Sequence, residues 1–346
     1  MQEPTTIELG RDDEGRRADR VVRKALKSVS LSTIYRLFRQ KRIRIGARAI
    51  GADEHLKAGD ILNLFLPYNL NTETISSHSE QPPAFDESVL ATLPDQPRVV
   101  WENEYLAALH KPRGMLTHDG SASLEAFVRN YLHESLPPSA SFIPGPLHRL
   151  DRNTSGIVMF SKSRAGAEAF SKELTAHHIR KFYIAIAHGE IENGATLEDR
   201  LRRDQHQRRT FAAEQGEFGK LRVTPLAGKE GMTLVLIELH TGLTHQIRAQ
   251  LSAHGHPLKG DAKYGNNERM NPDGYFLHAH TLVLPRFLDA EMPHVLSDPL
   301  PSDFKEWALK IVESNIIHDS CFFDKRLARG AANLDECILR IIENMI

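Results

Sequence analysis

Residues 147–162 read LHRLDRNTSGIVMFSK and join a polar, turn-prone segment to an apolar run. A short apolar run after Thr, Ser and Gly predicts a buried strand, and side chains just before a strand lie at the edge of a sheet, where catalytic residues are often displayed. Asp151 has this position between Arg149 and Arg152, whose guanidinium groups favour its carboxylate form. Asp151 is thus available as a nucleophile or a base, although by spacing alone a structural aspartate is the favoured interpretation. Such an aspartate only caps a turn or balances the two arginines.

Further strand-like runs flank this stretch, with a few helical segments among them. They are VVWENEYLAALHKP, FYIAIAHG, MTLVLIELHTG and LHAHTLVLP. Neighbouring runs are spaced like hairpins, which predicts an α+β domain built on a mixed or antiparallel sheet. We predict that residues 98–312 form this catalytic domain.

The length and composition are those of a globular protein with two domains. The chain has 346 residues, of which 40% are hydrophobic and 26% charged, and this composition excludes a disordered chain. No apolar run reaches the ~18 residues of a membrane-spanning helix, and the N-terminus has no secretory signal pattern. We therefore expect a cytoplasmic protein without a membrane partner. Cys321 and Cys337 are too few for a disulfide framework or a four-cysteine zinc site.

Positive charge is concentrated near the N-terminus, although the net formal charge of the chain is -1. From Arg16 to Arg48 there are twelve Lys or Arg against one acidic residue, Asp19, so this segment alone has a charge of +11. Apolar stripes predict two short helices, the second capped by Ser32, followed by strands. Such a segment suits a polyanion, and we predict that it binds RNA. The candidate contacts are Arg36, Arg39, Lys41, Arg42 and Arg44. The alternative is a basic face that is merely solvated.

Residues 16–68 resemble the alpha-L RNA-binding domain, a small α/β module found in a ribosomal small-subunit protein and in several RNA-modifying enzymes. The helix, helix, strand order and a closing Ala-Gly-Asp turn match, whereas Gly46-Ala47 stands where such modules commonly have Asn-Gly. Residues 1–15 are then an N-terminal extension. Residues 69–97, rich in Asn, Thr, Ser, Gln and Pro, are the predicted linker. Residues 313–346 are a predicted C-terminal extension that ends in a packing helix, DECILRIIENMI.

A second motif, KFYIAIAHG at residues 181–189, has the period-two pattern of a strand. The alternation predicts Lys181, Tyr183 and two alanines on one face, and Phe182 with two isoleucines on the other. Tyr183 is therefore a phenol on the less apolar face. It is either a core tyrosine with a satisfied hydroxyl or a ring that stacks on a base and moves a proton.

A third motif, HTGLTHQIRAQLSAHGHPLKGDAKYG, occupies residues 240–265. It predicts a strand end followed by a helix that Thr244 caps. Arg248 falls in the first turns of this helix, where it can pair with an aspartate or a phosphate. Ordinary surface pairing is the alternative.

The three motifs together resemble the pseudouridine synthase family that includes RluA. The resemblance covers residues 16–308 in the family's order, and HKPRGMLTH (110–118) and FLHAHTLVLP (276–285) fit its flanking strands. It implies a catalytic aspartate at Asp151, an active-site tyrosine at Tyr183 and an active-site arginine at Arg248. One departure is Leu243, where the family usually has arginine in TGRTHQIR; we expect a weakened contact there and an intact catalytic set.

The resemblance implies isomerisation of uridine to pseudouridine in RNA. The base is flipped into a pocket, with Arg149 filling the gap or holding the RNA backbone. Asp151 then acts on the ribose by attacking C1′ or by removing the C2′ proton, and both options stay open. Tyr183 packs on the flipped base and is a candidate acceptor for the C5 proton, while Arg248 holds Asp151 as a carboxylate. The reaction consumes no cofactor, in keeping with the lack of a G-x-x-x-x-G-K-[ST] loop.

The alpha-L module and the sequence STIYRLFR within it point to the ribosomal-RNA branch of this family, the RluC group in particular. The implied partner is RNA, either 23S-type ribosomal RNA or, alternatively, transfer RNA. Nothing in the residues demands more than a monomer. The modified uridine cannot be read from them, because recognition of folded RNA depends on shape and loop contacts.

Three other functions compete with this interpretation. Paired histidines, His254 with His256 and His278 with His280, suggest a metal site, but no acidic or cysteine ligand accompanies them, so we expect no metal. A hydrolase triad is excluded because there is no G-x-S-x-G elbow. The more serious alternative is an RNA-binding protein that has lost turnover, and Leu243 is its best support.

Overall fold

The computed structural model describes residues 4–26, 29–67, 84–133, 135–136, 139–265, 274–288, 291–312 and 331–346. Its first part is a small antiparallel sheet with two helices. In chain order these elements are β1 (Thr5–Glu8), α1 (Ala18–Ala25), α2 (Leu31–Arg39), β2 (Ile43–Ile45), β3 (Arg48–Ala49) and β4 (Ile61–Leu64). The strand order is β1-β4-β2-β3. Residues 1–15, predicted as an extension, thus contribute an edge strand that pairs with β4.

The two predicted helical stripes are buried, with Val21 and Val22 on α1 and Leu37 on α2. The predicted cap of α2 is wrong by two positions. Ser30, not Ser32, precedes the helix, and its hydroxyl accepts a hydrogen bond from the Thr33 N–H. Both serines suit a cap chemically, and the backbone, extended at Ser30, decides between them.

The Gly46-Ala47 turn joins β2 to β3, with Ile45 paired to Arg48. Gly46 has a φ of 57°, in the left-handed region. Glycine readily adopts this conformation at the first position of a two-residue hairpin turn. The Gly46-Ala47 turn can therefore take the place of the common Asn-Gly turn.

The second part is an eleven-stranded sheet. Its strands are β5 (Arg98–Glu102), β6 (Leu106–Lys111), β7 (Gly145–Pro146), β8 (Ser155–Ser161), β9 (Arg180–His188), β10 (Ala195–Asp204), β11 (Arg209–Ala212), β12 (Glu217–Lys229), β13 (Met232–Leu239), β14 (Leu277–Val283) and β15 (Val295–Ser297). The main strand order is β11-β10-β12-β13-β9-β14-β8-β6-β5, while β15 pairs with β14 and β7 with β8. The β8–β14 pair is parallel and the other pairs are antiparallel. The predicted α+β fold with a mixed sheet is therefore confirmed.

Within the described residues, five α-helices accompany this sheet: α3 (Leu124–Leu132), α4 (Arg164–Thr175), α5 (Gln246–Ala253), α6 (Ser302–Val312) and α7 (Ala331–Glu343). The predicted alternation of β9 is confirmed. Tyr183 belongs to a core cluster with residues of α3 and α5, and Phe182 belongs to a separate cluster with residues of α6 and α7. Helix α7 is the predicted packing helix, and Ile338 is fully buried in it. Cys337 is buried in the same cluster, whereas Cys321 lies outside the described residues.

The predicted linker is described only from residue 84 onward. A 3-10 helix spans Glu87–Thr92, and Phe85, Val89 and Leu93 pack against the core cluster that contains Tyr183. Among the described residues, none of the helices combines the length and apolar character needed to span a bilayer.

One glycine sets the geometry at the centre of the sheet. Gly156, at the start of β8, has a φ of 114° and lies against β14. A Cβ there would come within 2.3 Å of the Ala279 carbonyl oxygen, so another residue would force the two strands apart. The glycine of the NTSG sequence thus fixes where the loop before β8, which contains Asp151, meets the sheet.

Candidate active site

Asp151 lies in the loop between β7 and β8, and side chains at the end of β6 and just after it hold this loop in place. The buried ammonium of Lys111 donates hydrogen bonds to three backbone carbonyls, including that of Arg152 at 3.0 Å. The Thr117 hydroxyl donates to the Leu150 carbonyl at 3.0 Å and accepts from the Leu150 N–H at 3.2 Å. Burial lowers the pKa of Lys111 to about 7 in spite of the nearby Asp151 carboxylate. The HKPRGMLTH motif is therefore the support of the Asp151 loop.

Three side chains surround the Asp151 carboxylate. The Arg248 Nη1 donates to Oδ2 at 3.2 Å, the Tyr275 hydroxyl donates to the same oxygen at 3.4 Å, and the His245 Nε2 lies 3.8 Å from it. In the described part of the chain, these three contacts of the Asp151 side chain all involve its Oδ2 atom. Oδ1 is thus the oxygen that the site leaves to a substrate.

Of the arginines that the sequence analysis placed near Asp151, Arg248, the one implied by the family resemblance, bonds to its carboxylate. The flanking Arg152 instead donates to the Gly114 carbonyl at 2.9 Å, and the exposed Arg149 lines the cleft beside the carboxylate. Arg248, ninety-seven positions along the chain, makes the hydrogen bond.

Arg248 is held rigidly by a second carboxylate, that of Asp261. The guanidinium donates two hydrogen bonds to Asp261, at 2.7 and 2.9 Å, and both side chains are buried. Its central carbon lies 4.7 Å from the ring centre of Tyr264 and 4.3 Å from that of Tyr275. Burial disfavours the charge, but the hydrogen bonds to Asp261 outweigh it and raise the pKa of Arg248. The arginine is therefore a fixed positive charge whose free edge faces Asp151.

Helix α5, which contains Arg248, begins differently from the prediction. Thr244 does not cap it; the residue before the helix is His245, which has a left-handed φ of 57°. The side-chain oxygen of Gln246 accepts from the Leu243 N–H at 3.0 Å instead. Residues other than glycine rarely adopt a left-handed conformation. This conformation of His245 is accompanied by a ring position beside Asp151. Burial lowers the pKa of His245 to about 4, so the ring is neutral at physiological pH.

Tyr183 lines the same cleft as Asp151 from strand β9. Burial and the nearby Asp151 carboxylate raise the pKa of Tyr183, so its hydroxyl stays protonated in the resting protein. Leu243 lines this cleft too, and it also packs against a small apolar cluster of Leu201, Ala249 and Tyr264. The residue that departs from the family pattern thus makes apolar contacts, while the Asp151–Arg248 hydrogen bond is present.

Two clefts meet at Asp151. One has a volume of about 380 Å³ and includes Tyr183, and the other has a volume of about 220 Å³ on the side of Tyr275. Both include Arg149, Asp151 and Arg248. The second cleft is rimmed by cations, and these are Arg149, Arg152, Arg203 and Lys263. A basic groove thus leads to the carboxylate, which suits a phosphodiester chain.

The other residues predicted to contact RNA lie on the small N-terminal part. Arg36, Arg39 and Lys41 are exposed. Arg42 donates to the Phe65 carbonyl at 3.3 Å, and Arg44 stacks on the Phe65 ring at 5.3 Å. None of these five residues lines the clefts at Asp151.

The paired histidines make hydrogen bonds within the protein. His278 contacts the Ser155 hydroxyl at 2.9 Å, and His254 lies 3.2 Å from the Asp199 carboxylate. In the part of the chain that the structure describes, no three His, Cys, Asp or Glu residues come together as a metal site.

Several residues at the centre of the site were not singled out from the sequence. They are Tyr275, Asp261, His245 and Tyr264. Asp261 and Tyr264 fall inside the quoted GDAKYG sequence, so a search for a carboxylate partner of Arg248 could have found Asp261. Tyr275 offers no such signal, because it reaches the site through the pairing of β14 with β8.

Comparison with known proteins agrees with this geometry. Residues 105–253, which include Asp151, Tyr183 and Arg248, match the family described as RNA pseudouridylate synthase. This stretch of the chain, with all three predicted site residues, is thus similar to that family. The RNA pseudouridine synthase activity expected from the sequence resemblance is thereby confirmed.

Full-length relatives and a solved structure extend the match. A Pasteurella multocida protein called ribosomal large subunit pseudouridine synthase C is 29% identical over 313 residues, which cover 84% of this chain and 92% of that protein. The protein of the same name from Vibrio parahaemolyticus is 28% identical over 285 residues, or 79% of this chain and 86% of the relative. The structure of human RNA pseudouridylate synthase domain containing 1 covers 60% of this chain and 85% of its own, with a TM-score of 0.52 and 22% identity. This last likeness supports the fold.

Proposed function

We propose that this pseudouridine synthase modifies uridine in large-subunit, 23S-type ribosomal RNA, with Asp151, Tyr183 and Arg248 as its catalytic residues. The observation that carries the site assignment is the chain of contacts from Asp261 through Arg248 to Oδ2 of Asp151. It holds a carboxylate at the meeting point of two clefts with one oxygen open. The names of the relatives support ribosomal RNA as the substrate, and transfer RNA is the alternative.

The reaction rearranges bonds without a co-reactant. The N1–C1′ bond of the uridine breaks, a C5–C1′ bond forms, the C5 proton leaves and N1 takes up a proton. Asp151 acts on the ribose through Oδ1, either by attacking C1′ or by removing the C2′ proton. Arg248 stabilises the carboxylate by a charged hydrogen bond on the opposite oxygen, so the carboxylate keeps this partner while Oδ1 reacts.

The target base must leave its stack to reach Asp151. The cleft of about 380 Å³ is in the size range of small-molecule sites, roughly 300–1,000 Å³. Tyr183 packs on the flipped base in this cleft. Because its pKa is raised, packing is favoured over proton acceptance in the resting enzyme. Arg149 is exposed at the mouth of both clefts, where it holds the RNA backbone or fills the gap left by the base.

The charged surfaces extend the RNA contact beyond the cleft. Arg36, Arg39, Lys41, Arg42 and Arg44 are proposed to bind the RNA outside the modified nucleotide, because they concentrate positive charge on a small platform. The three catalytic side chains come from one chain, so we propose that the enzyme acts as a monomer. We further propose that it acts in the cytoplasm, where its substrate is made, and that it needs no cofactor or metal.

Gene deletion followed by mapping of pseudouridines tests the function. Carbodiimide-dependent reverse-transcription stops are mapped in total RNA from the deletion strain and after complementation with the wild type or Asp151→Asn. Asn keeps the size of the side chain and removes its charge, so we expect stops in large-subunit rRNA to return with the wild type alone. Stops that change in transfer RNA would move the substrate to that class. If no stop changes, the non-catalytic RNA-binding function becomes the better interpretation.

A further inference from the structure

A cleft of about 370 Å³ lies between the small N-terminal domain and the catalytic domain, away from Asp151. Its charged lining consists of five cations and one carboxylate: Arg16, Arg17, Arg20, Lys24, Arg164 and Glu168. Four of the cations come from the N-terminal domain, and Arg164 comes from the start of α4 in the catalytic domain. The cleft is thus built from both domains.

The two domains are docked by buried hydrogen bonds beside this cleft. The carboxylate of Asp13 is fully buried, and it accepts from the Ser139 hydroxyl at 3.2 Å, from the Ala140 N–H at 2.8 Å and from the Ser141 hydroxyl. Asp12 accepts from the Arg164 N–H at 2.7 Å. The two domains are therefore joined by direct polar contacts. Their docking also brings the positive charges of the cleft close together.

The cations face one another across the junction. Arg16 donates to the Ser141 hydroxyl at 2.7 Å and to its carbonyl at 3.3 Å, and Arg164 donates to the Glu14 carbonyl at 3.1 Å. Arg20 is exposed in the first turn of α1 and lines the same cleft. Burial, and then the charges of Arg164 and Arg20, lower the pKa of Arg16. Glu168 lies 3.4 Å from Arg164 and Asp19 lies 3.0 Å from Arg17, so two of the five cations have an acidic partner. The positive charges still outnumber the negative ones in the cleft, and an anion bound there would reduce their repulsion.

We propose that this interdomain cleft binds a phosphodiester of the substrate RNA, through Arg16, Arg20 and Arg164. The inference rests on the proposed RNA substrate and adds a contact that neither domain makes alone. Arg36 and Arg39 do not line this cleft.

Helix α4 connects this cleft to the catalytic cleft. Arg164 is its first residue, while Leu174 near its end and His177 just beyond line the cleft with Asp151. A helix of twelve residues is about 18 Å long. RNA that places a uridine over Asp151 can therefore reach the interdomain cleft along α4, and binding there keeps the domains docked.

Salt-dependent RNA binding by the full chain tests the proposal. The probe is an unmodified 23S rRNA transcript, titrated at several KCl concentrations with the wild type, Arg20→Gln, Arg20→Gln/Arg164→Gln and the control Arg340→Gln. Arg340 is exposed on α7 and lines neither cleft. Because each cleft arginine is proposed to form a charged hydrogen bond to phosphate, we expect about tenfold weaker binding for each one removed. The slope of log affinity against log salt should fall by roughly 0.7–0.9 for each phosphate that the variant no longer neutralises.

If the double variant Arg20→Gln/Arg164→Gln loosens the docking of the two domains, the single variant Arg20→Gln still tests the proposal, because Arg20 is exposed. Unchanged affinity and slope for Arg20→Gln would overturn the proposal, and so would an equal loss for Arg340→Gln, which would indicate only diffuse attraction. The proposed function is tested separately, by measuring whether the wild type forms pseudouridine in the same transcript. A wild type that binds the transcript but forms no pseudouridine in it contradicts that function, and the slopes remain interpretable.

Discussion

Asp261 is predicted to act on catalysis without touching the substrate, by holding Arg248. It accepts two hydrogen bonds from the guanidinium, at 2.7 and 2.9 Å, and Arg248 in turn donates to Asp151 at 3.2 Å. In Asp261→Asn, one accepting oxygen becomes an amide NH₂ group that cannot accept from the guanidinium. The variant therefore has one charged hydrogen bond fewer, and such a bond contributes ~1.5–3 kcal/mol.

The expected fall in activity follows from this magnitude. Because 1.36 kcal/mol corresponds to a tenfold change in rate, we expect kcat to fall about 10- to 150-fold. RNA affinity should stay within about twofold, since Asp261 is buried away from the rim of the clefts. The assay follows release of tritium from RNA that contains uridine labelled at C5, together with the Kd for the same RNA. A fall in kcat without a change in Kd separates positioning of Arg248 from general damage.

Asp199→Asn is the matched control for this variant. The Asp199 carboxylate accepts from the Gln250 amide at 2.7 Å and lies 3.2 Å from His254, so it contacts the same helix α5 without contacting Arg248. We expect this variant to retain its turnover. The reasoning is refuted if Asp261→Asn is folded and turns over within twofold of the wild type, or if the turnover of Asp199→Asn falls as much.

Three further outcomes are expected. Tyr183→Phe keeps the ring that packs on the base, so it should retain at least about tenfold more turnover than Tyr183→Ala in the tritium assay; equal losses would contradict the packing role. Burial lowers the pKa of His148 to about 3, and its neutral Nε2 accepts from the Met159 N–H at 3.1 Å. The unfolded chain, with a pKa of about 6.5, then binds more protons, so stability is complete above pH 6.5 and falls as the pH drops towards 3. Urea unfolding between pH 4.5 and 7 should be less pH-dependent for His148→Asn, and an unchanged dependence would be contrary evidence. Ile338→Ala should lower the free energy of unfolding by about 2–5 kcal/mol with kcat unchanged, because Ile338 is fully buried on α7; a decrease below 1 kcal/mol would mean that α7 does not pack as described.

The sequence alone determined the local features of this protein. Alternation in KFYIAIAHG predicted which side of β9 presents Tyr183, because a strand has a period of two whatever surrounds it. The segment from Arg16 to Arg48 could be read as a basic platform from charge alone. The junction of polar turn residues with an apolar strand placed Asp151 at the edge of a sheet, and the family resemblance of HRLDRNTSG singled it out as catalytic.

Only the tertiary structure decided which groups meet at Asp151. The charge pattern alone suggested the flanking Arg149 and Arg152, and only the family resemblance pointed to Arg248. In the structure Arg248 and Tyr275 make the contacts, from ninety-seven and one hundred and twenty-four positions away. Their positions follow from the order of strands in the sheet, and sheet order depends on long-range pairing that periodicity does not encode. The interdomain cleft has the same origin, because Arg164 joins the N-terminal arginines only when the domains dock. Local burial repeats along a chain and can be read from it, whereas contacts between distant segments exist only once the whole sheet has formed.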